Sequence, residues 1–262
     1  MPTPSKAVLI TGCSSGIGHA AAIQLADAGW KVYATARRPE TLPDLRDRGC
    51  QTLALDVTDE ASMQAAVEAV IEAEGAVGVL VNNAGYSQSG AVETVPMDDT
   101  RRQFETNVFG LLRMCQLVLP GMRAQRWGKI VNISSMGGRL TFPGGGLYHA
   151  TKYAVEALSD ALRFEVRGFG VDVIVIEPGL TVTRFGDTAT ASVQPDSGPY
   201  AGFNEHVARV TSEVYNGPFA KLGAGPEAVA HTSAHLMINL RRLTPDRVWD
   251  LMMRVQFPTP KP

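Results

Sequence analysis

The sequence predicts a doubly wound α/β fold, a parallel sheet with helices on both faces. Three observations carry this. Strand-like and helix-like segments alternate from the first residues, the strand-like ones are apolar throughout, and the first runs into a glycine-rich turn that opens a helix. Strands without polar alternation belong to parallel sheets covered on both faces. Repeated β-α units of this length wind such sheets.

The elements follow in order. Lys6–Thr11 is a short β-branched run, and Ile17–Ala28 places Ile17, Ala21, Leu25 and Ala28 at helical spacing before Gly29 stops it. Val32–Thr35 and Leu53–Val57 are predicted as the second and third strands, with a short helix around Leu42–Arg48 between them. Ala61–Glu74 is a helix with Met63, Val67, Val70 and Ile71 inward, and Val79–Asn82 is a buried strand. A long helix spans roughly 98–125, and Pro120 is expected to kink it or end it early. Lys129–Ser134 is the fifth strand, Tyr148–Arg167 a long helix stopped by Gly168 and Gly170, and Val171–Glu177 the sixth strand.

Beyond Pro178 the pattern changes. Residues 179–202 are rich in Gly, Thr, Ser, Asp and Pro, without periodicity. A long irregular stretch after a strand's carboxyl end, where such sheets bind ligands, predicts a substrate lid at about residues 180–220. Phe203–Tyr215 and Glu227–Leu240 read as helices, and Asp246–Phe257 again looks helical. Phe203, Val207, Val210 and Val214 form a helical stripe that is read as core, or as facing an apolar substrate if the preceding loop is a lid. With no repeat and no linker, residues 1–262 are read as a single domain.

The composition is that of an ordinary globular protein, 45% apolar and 19% charged with a formal net charge of -2. The charge is balanced along the chain, which argues against nucleic acid and against an anionic membrane surface as partners. Apolar runs are strand-length, so no membrane span is expected. Cys13, Cys50 and Cys115 are scattered without a CxxC pair. Together with an opening segment that has neither a basic nor an apolar leader region, this predicts a cytoplasmic protein with reduced thiols. The histidines form no metal pattern. His231 and His235 lack a carboxylate or Cys partner and are read as surface residues, His19 as structural, so no metal is expected.

The turn Thr11-Gly-Cys-Ser-Ser-Gly-Ile-Gly18 follows the first strand and opens the first helix. Glycines at 12, 16 and 18 let a backbone approach a pyrophosphate at a helix N-terminus; a plain tight turn would need glycines too. The second strand ends Ala36-Arg37-Arg38, where an NAD site usually carries an acid for the ribose hydroxyls. A guanidinium there favours a 2′-phosphate by about 1.5–3 kcal/mol, so NADP(H) is preferred over NAD(H). The alternative is that the arginines form a solvated face.

Tyr148 and Lys152 lie four residues apart at a helix start, on one face. No other Tyr in the chain is followed by Lys at that distance. A neighbouring ammonium lowers a phenol's pKa and makes it a usable acid/base, although an ordinary helix-surface pair has the same spacing.

Taken together, Thr11–Gly18, Asp56, Asn82-Asn83-Ala84-Gly85, Asn107, Ser135, Tyr148/Lys152 and Pro178-Gly179 resemble the motif set of the short-chain dehydrogenase/reductase family, in its single-domain branch. The resemblance covers about residues 5–183. It implies a Rossmann-like sheet in the order 3-2-1-4-5-6 and an enzyme that moves a hydride between NADP(H) and a ketone, aldehyde or alcohol. Tyr148 would exchange a proton with the substrate oxygen. Lys152 would bond the nicotinamide ribose and lower the Tyr148 pKa, and Ser135 would polarise the carbonyl. Asn107 would hold a water that links Lys152 to solvent. Family members place the catalytic serine thirteen residues before the Tyr, which selects Ser135 over Ser134.

On the cofactor side, the resemblance gives Gly12, Ser14, Ser15, Gly16, Ile17, Gly18 and Arg37 to the phosphates, and Asp56 and Val57 to the adenine. Asn83, Ala84 and Gly85 would pass along the adenosine ribose, with Asn82 bracing the sheet. Pro178, Gly179 and Thr183 would touch the carboxamide; a plain turn would also account for Pro178-Gly179. Glycines 137, 138, 144, 145 and 146 with Phe142 and Leu147 suggest a roomy, mostly apolar pocket.

The family's seventh strand has no Val/Ile-rich counterpart after residue 240, so it is expected to be shortened or missing. A homo-oligomer, dimer or tetramer, is implied, but the tetramer is built partly around that strand's edge. The rival readings are a non-catalytic nucleotide-sensing protein, which would typically lose the Tyr or Lys, and an epimerase or dehydratase using the same residues.

Overall fold

The computed structural model describes residues 3–181, 183–216 and 225–226. The expected helices at Glu227–Leu240 and Asp246–Phe257, the seventh strand, and His231 and His235 lie outside the described residues. Contacts along the chain group into two compact units. One comprises Met1–Gly85, Glu105–Ile133 and Val155–Ile176; the other comprises Tyr86–Phe104, Ser134–Ala154 and Glu177–Pro262.

The first unit holds the sheet. β1 (Val8–Ile10), β2 (Val32–Ala36), β3 (Gln51–Ala54), β4 (Val79–Asn82), β5 (Gly128–Ile133) and β6 (Val171–Ile176) pair in the order β3-β2-β1-β4-β5-β6, every pair parallel. The fold is the expected Rossmann-like one.

Alternate residues of each strand feed opposite layers, because successive side chains of a strand point to opposite faces. Leu9 and Leu80 pack with α3 (Glu60–Glu74) and α5 (Gly110–Ala124) through Met63, Val67, Met114 and Val118. Val8, Ile10, Val79 and Val81 pack on the other face with Ala22 of α1 (Gly16–Asp27), Leu45 of α2 (Pro43–Asp47) and the adjoining Leu42. Asp59 caps α3, its carboxylate accepting from the Ser62 N–H at 3.1 Å, and Gly75 ends it in the left-handed region at φ 82°.

Several boundaries differ from the sequence expectation. β3 begins at Gln51 and ends at Ala54, both exposed, instead of covering Leu53–Val57. β6 alternates, with Val171 and Val173 buried and Asp172 and Ile174 exposed. Both are edge strands among the described residues; the strands between them are mostly apolar, with Thr35, Asn82, Lys129 and Asn132 as the polar exceptions. The long helix is split into α4 (Met97–Phe104), a π-helical turn at Glu105–Phe109, and α5. Pro120 sits inside α5 and does not end it early, because it lies on the exposed side, where water can bond the freed carbonyl.

The second unit contains α4, the first turns of α6 (Gly146–Val166), and two helices after the sixth strand, α7 (Phe185–Ala191) and α8 (Ala201–Asn216). α7 was not expected. Its sequence FGDTATA is small and polar and carries no helical hydrophobic period.

Candidate functional site

In the first unit the glycine turn is held by side chains on either side of it. Gly12 adopts φ 75° and Gly16 φ 66°, the left-handed region that glycine enters without strain. The Thr11 hydroxyl accepts from the N–H groups of Asn83 and Ala84, both at 3.0 Å. The Asn83 amide donates to the carbonyls of Thr11 and Gly12, each at 2.9 Å. A Cβ on Gly18 would lie 2.3 Å from that amide and 2.7 Å from the Gly12 oxygen, so only glycine fits.

At the start of α1, Ser15 is extended (φ -172°) and caps no N–H with its side chain, and no acid lies in the first turn. A twelve-residue helix thus keeps its first donors and its positive dipole end uncompensated by carboxylate. That donor set fits a pyrophosphate.

Arg37 and Arg38 are exposed directly after β2, whose last residue, Ala36, is buried. The Asp56 carboxylate accepts from the Thr58 N–H at 2.9 Å and hydroxyl at 2.7 Å, while Val57 is buried. Asn82 does brace the sheet. Its amide donates to Asn132 at 3.0 Å, and Asn132 donates to the Ser159 hydroxyl at 2.9 Å, tying β4 to β5 and to α6. Asn107 is buried in the π-helical turn, and a Cβ on Gly85 would come within 3.1 Å of its Oδ1.

The second unit brings Ser135, Tyr148 and Lys152 together. The Ser135 hydroxyl acts on the Tyr148 phenol to lower its pKa, and it accepts from the Gly137 N–H at 3.0 Å. Lys152 is buried, with Nζ 5.8 Å from the centre of the Tyr148 ring. Tyr148 as a residue is half-buried, but its hydroxyl end lies deep, beside Phe185 (rings 5.4 Å apart) and Tyr215. Burial pushes the phenol's pKa up, Tyr215 adds to this, and the Ser135 hydroxyl opposes it. The net direction is upward, where a lowering was expected beside Lys152, because burial is the largest influence on the phenol.

Pro178 is buried, its carbonyl accepting from the Met136 N–H at 2.9 Å, so it anchors the loop that carries Ser135. Thr183 accepts from the Phe185 N–H at 3.2 Å and starts α7.

Two features were not legible as site residues. Thr11 anchors the glycine turn, and its only sequence signal was its place at the motif's start. Phe185 and Tyr215 reach Tyr148 through tertiary packing, which no local pattern encodes. The glycines near Tyr148 do not all make open space. Gly137 and Gly145 accommodate the His149 ring, 2.5 Å and 2.7 Å from where a Cβ would stand.

The chain is similar in sequence and fold to known proteins. The short chain dehydrogenase family matches residues 6–194. The 3-ketodihydrosphingosine reductase of Bacteroides thetaiotaomicron is 43% identical over 186 residues, 71% of this chain and 67% of that protein. A short-chain dehydrogenase from Streptomyces avermitilis has a solved structure with 35% identity and a TM-score of 0.72, over 93% of this chain and 86% of that one. The closed form of a serine dehydrogenase complexed with NADP+ gives 29% identity and a TM-score of 0.72, over 92% and 91%. A 3-ketoacyl-(acyl-carrier-protein) reductase from Brucella melitensis complexed with NADH gives 26% and 0.68, over 84% and 94%. The chain accordingly belongs to the short chain dehydrogenase family and is an oxidoreductase.

Proposed function

We propose that the protein is an NADP(H)-dependent carbonyl reductase or secondary-alcohol dehydrogenase acting on an apolar ketone, aldehyde or alcohol. The observation that carries the reading is the clustering of Ser135 and Lys152 about the buried Tyr148 phenol, with the Lys152 ammonium 5.8 Å from the centre of the same ring. NADP(H), when bound, supplies or takes up the hydride at the carbonyl carbon. Ser135 donates to the carbonyl oxygen and polarises it, and Tyr148 gives that oxygen its proton. Lys152 offsets the phenolate that forms. A desolvated, neutral phenol is the form this step needs, so the raised pKa suits reduction.

Gly12, Gly16 and Gly18 with the N–H groups of Ser15–Gly18 would hold the pyrophosphate. Family members accept either nucleotide, as the NADP+ and NADH complexes show, so the choice falls to Arg37 and the missing acid at Ala36. The Phe185 ring against Tyr148 supports both an apolar substrate and a lid over residues 180–220, of which 182 and 217–220 lie outside the described residues. The ketone named for the Bacteroides relative supports a carbonyl substrate.

We further read residues 1–262 as one domain that unfolds in a single transition, in a cytoplasmic homo-oligomer. No helix among the described residues is long and apolar enough to cross a membrane. NADPH oxidation against a panel of ketones and aldehydes tests the activity. Turnover that Tyr148→Phe abolishes while NADPH binding persists is the expected result; a Tyr148→Phe enzyme of near-normal rate would refute the assignment.

A further inference from the structure

His149 follows Tyr148 on α6 and is buried in the second unit. Its Nδ1 lies 3.0 Å from the Gly137 carbonyl oxygen. A carbonyl only accepts, so Nδ1 carries the proton and donates. The same glycine donates its N–H to the Ser135 hydroxyl at 3.0 Å, and that hydroxyl acts on the Tyr148 phenol. Residue 137 therefore offers its carbonyl to His149 and its N–H to Ser135.

Gly137 lies in the short 3-10 turn Met136–Gly138, and glycine is the residue least able to hold such a turn by itself. Rotation of the ring away from this bond is blocked. A Cβ on Gly137 would lie 2.5 Å from Nδ1 and one on Gly145 2.7 Å from Nε2, and the rings of Phe142 and Tyr148 stand 5.9 and 5.7 Å away. The imidazole is wedged with its one donor aimed at Gly137.

We propose that His149 is a positioning residue that clamps Gly137, and through Gly137 fixes the orientation of the Ser135 hydroxyl. With the Gly137 N–H occupying one lone pair of the Ser135 oxygen, the hydroxyl proton is left to point away from Gly137, where a substrate oxygen can take it. The inference rests on the reading of Ser135 as the polarising group.

The test measures kcat, KM and NADPH affinity for His149→Asn, His149→Gln, Ser135→Ala and the double variant Ser135→Ala/His149→Gln. An Asn amide can place its N–H where Nδ1 stands, whereas Gln places it near Nε2. Asn should keep kcat within about threefold, and Gln should lose about tenfold with NADPH affinity unchanged, the cost of one ordering hydrogen bond. The double variant should be no slower than Ser135→Ala within about twofold, because the two residues act as one unit. Equal rates for Asn and Gln, or a Gln loss that multiplies onto Ser135→Ala, would overturn the proposal. Ser135→Ala with a normal kcat would instead remove the polarising role, and the clamp with it. His149→Leu serves as a second variant without the donor, so a folding failure of one leaves the comparison intact.

Discussion

The Asn83 side-chain amide sits 2.3 Å from the position a Cβ would take on Gly18, while it donates to the carbonyls of Thr11 and Gly12. The residue that the family resemblance sends to the adenosine ribose thus has its amide committed to the turn. Gly18→Ala should drive the amide out, and Asn83→Ala should leave two carbonyls unpaired, a cost of about 1–3 kcal/mol. Both variants should weaken NADPH binding about tenfold or more, with a smaller change in kcat at saturating nucleotide, as titration of NADPH fluorescence would show.

The raised pKa of Tyr148 sets a direction in pH. Burial first and Tyr215 second hold the phenol neutral, against the lowering influence of the Ser135 hydroxyl. Carbonyl reduction uses the neutral form and should be flat through neutral pH, falling only under strongly alkaline conditions. Alcohol oxidation uses the phenolate and should climb with pH over the same range. Tyr215→Phe removes one of the raising influences, so the oxidation profile should move to lower pH. A profile unmoved by that change would separate Tyr215 from the proton transfer.

Cofactor choice is a matter of charge at one loop. Arg37 is exposed, and Ala36, where an acid would stand, is buried at the end of β2. Arg37→Ala should weaken NADPH by about ten- to a hundredfold and leave NADH nearly unchanged. Equal losses for both nucleotides would assign the arginine elsewhere.

Acid stability should carry a signature of His149. Desolvation lowers its pKa below the usual 6.5, with the Gly137 hydrogen bond working the other way. The unfolded chain therefore binds a proton at this site before the folded one does. Its contribution is fully present above pH 6.5 and is lost as the pH falls through the lower, folded value. Urea midpoints measured at neutral and at acid pH should converge less for wild type than for His149→Asn, which has no proton to take up.

Central strands and long helices were legible because their physics is local. β1, β2 and β4 are covered on both sides, so burial leaves mostly apolar residues, Thr35 and Asn82 excepted, and helical spacing puts Tyr148 and Lys152 on one face. Edges were less legible. Among the described residues β3 pairs on one side only and tolerates Gln51 and Thr52, and the buried apolar Leu55 and Val57, which drew the expected bounds to 53–57, lie beyond its end. Pro120 misled because its cost depends on which way the helix faces. The glycines around residue 140 read as empty space, since a sequence does not say whether a missing Cβ makes room for substrate or for a neighbouring imidazole.

All three cysteines are buried and free. Burial raises their thiol pKa values, Cys13 and Cys115 to about 12, so almost no thiolate exists at neutral pH. The folded enzyme should accordingly survive maleimide and mild peroxide with its activity intact. Cys13 adds a use for this inertness. It lies within the glycine turn, its thiol 3.4 Å from the Ile10 carbonyl. Alkylation there can proceed only when the turn opens, which makes its labelling rate a built-in clock for that opening and for its slowing by nucleotide.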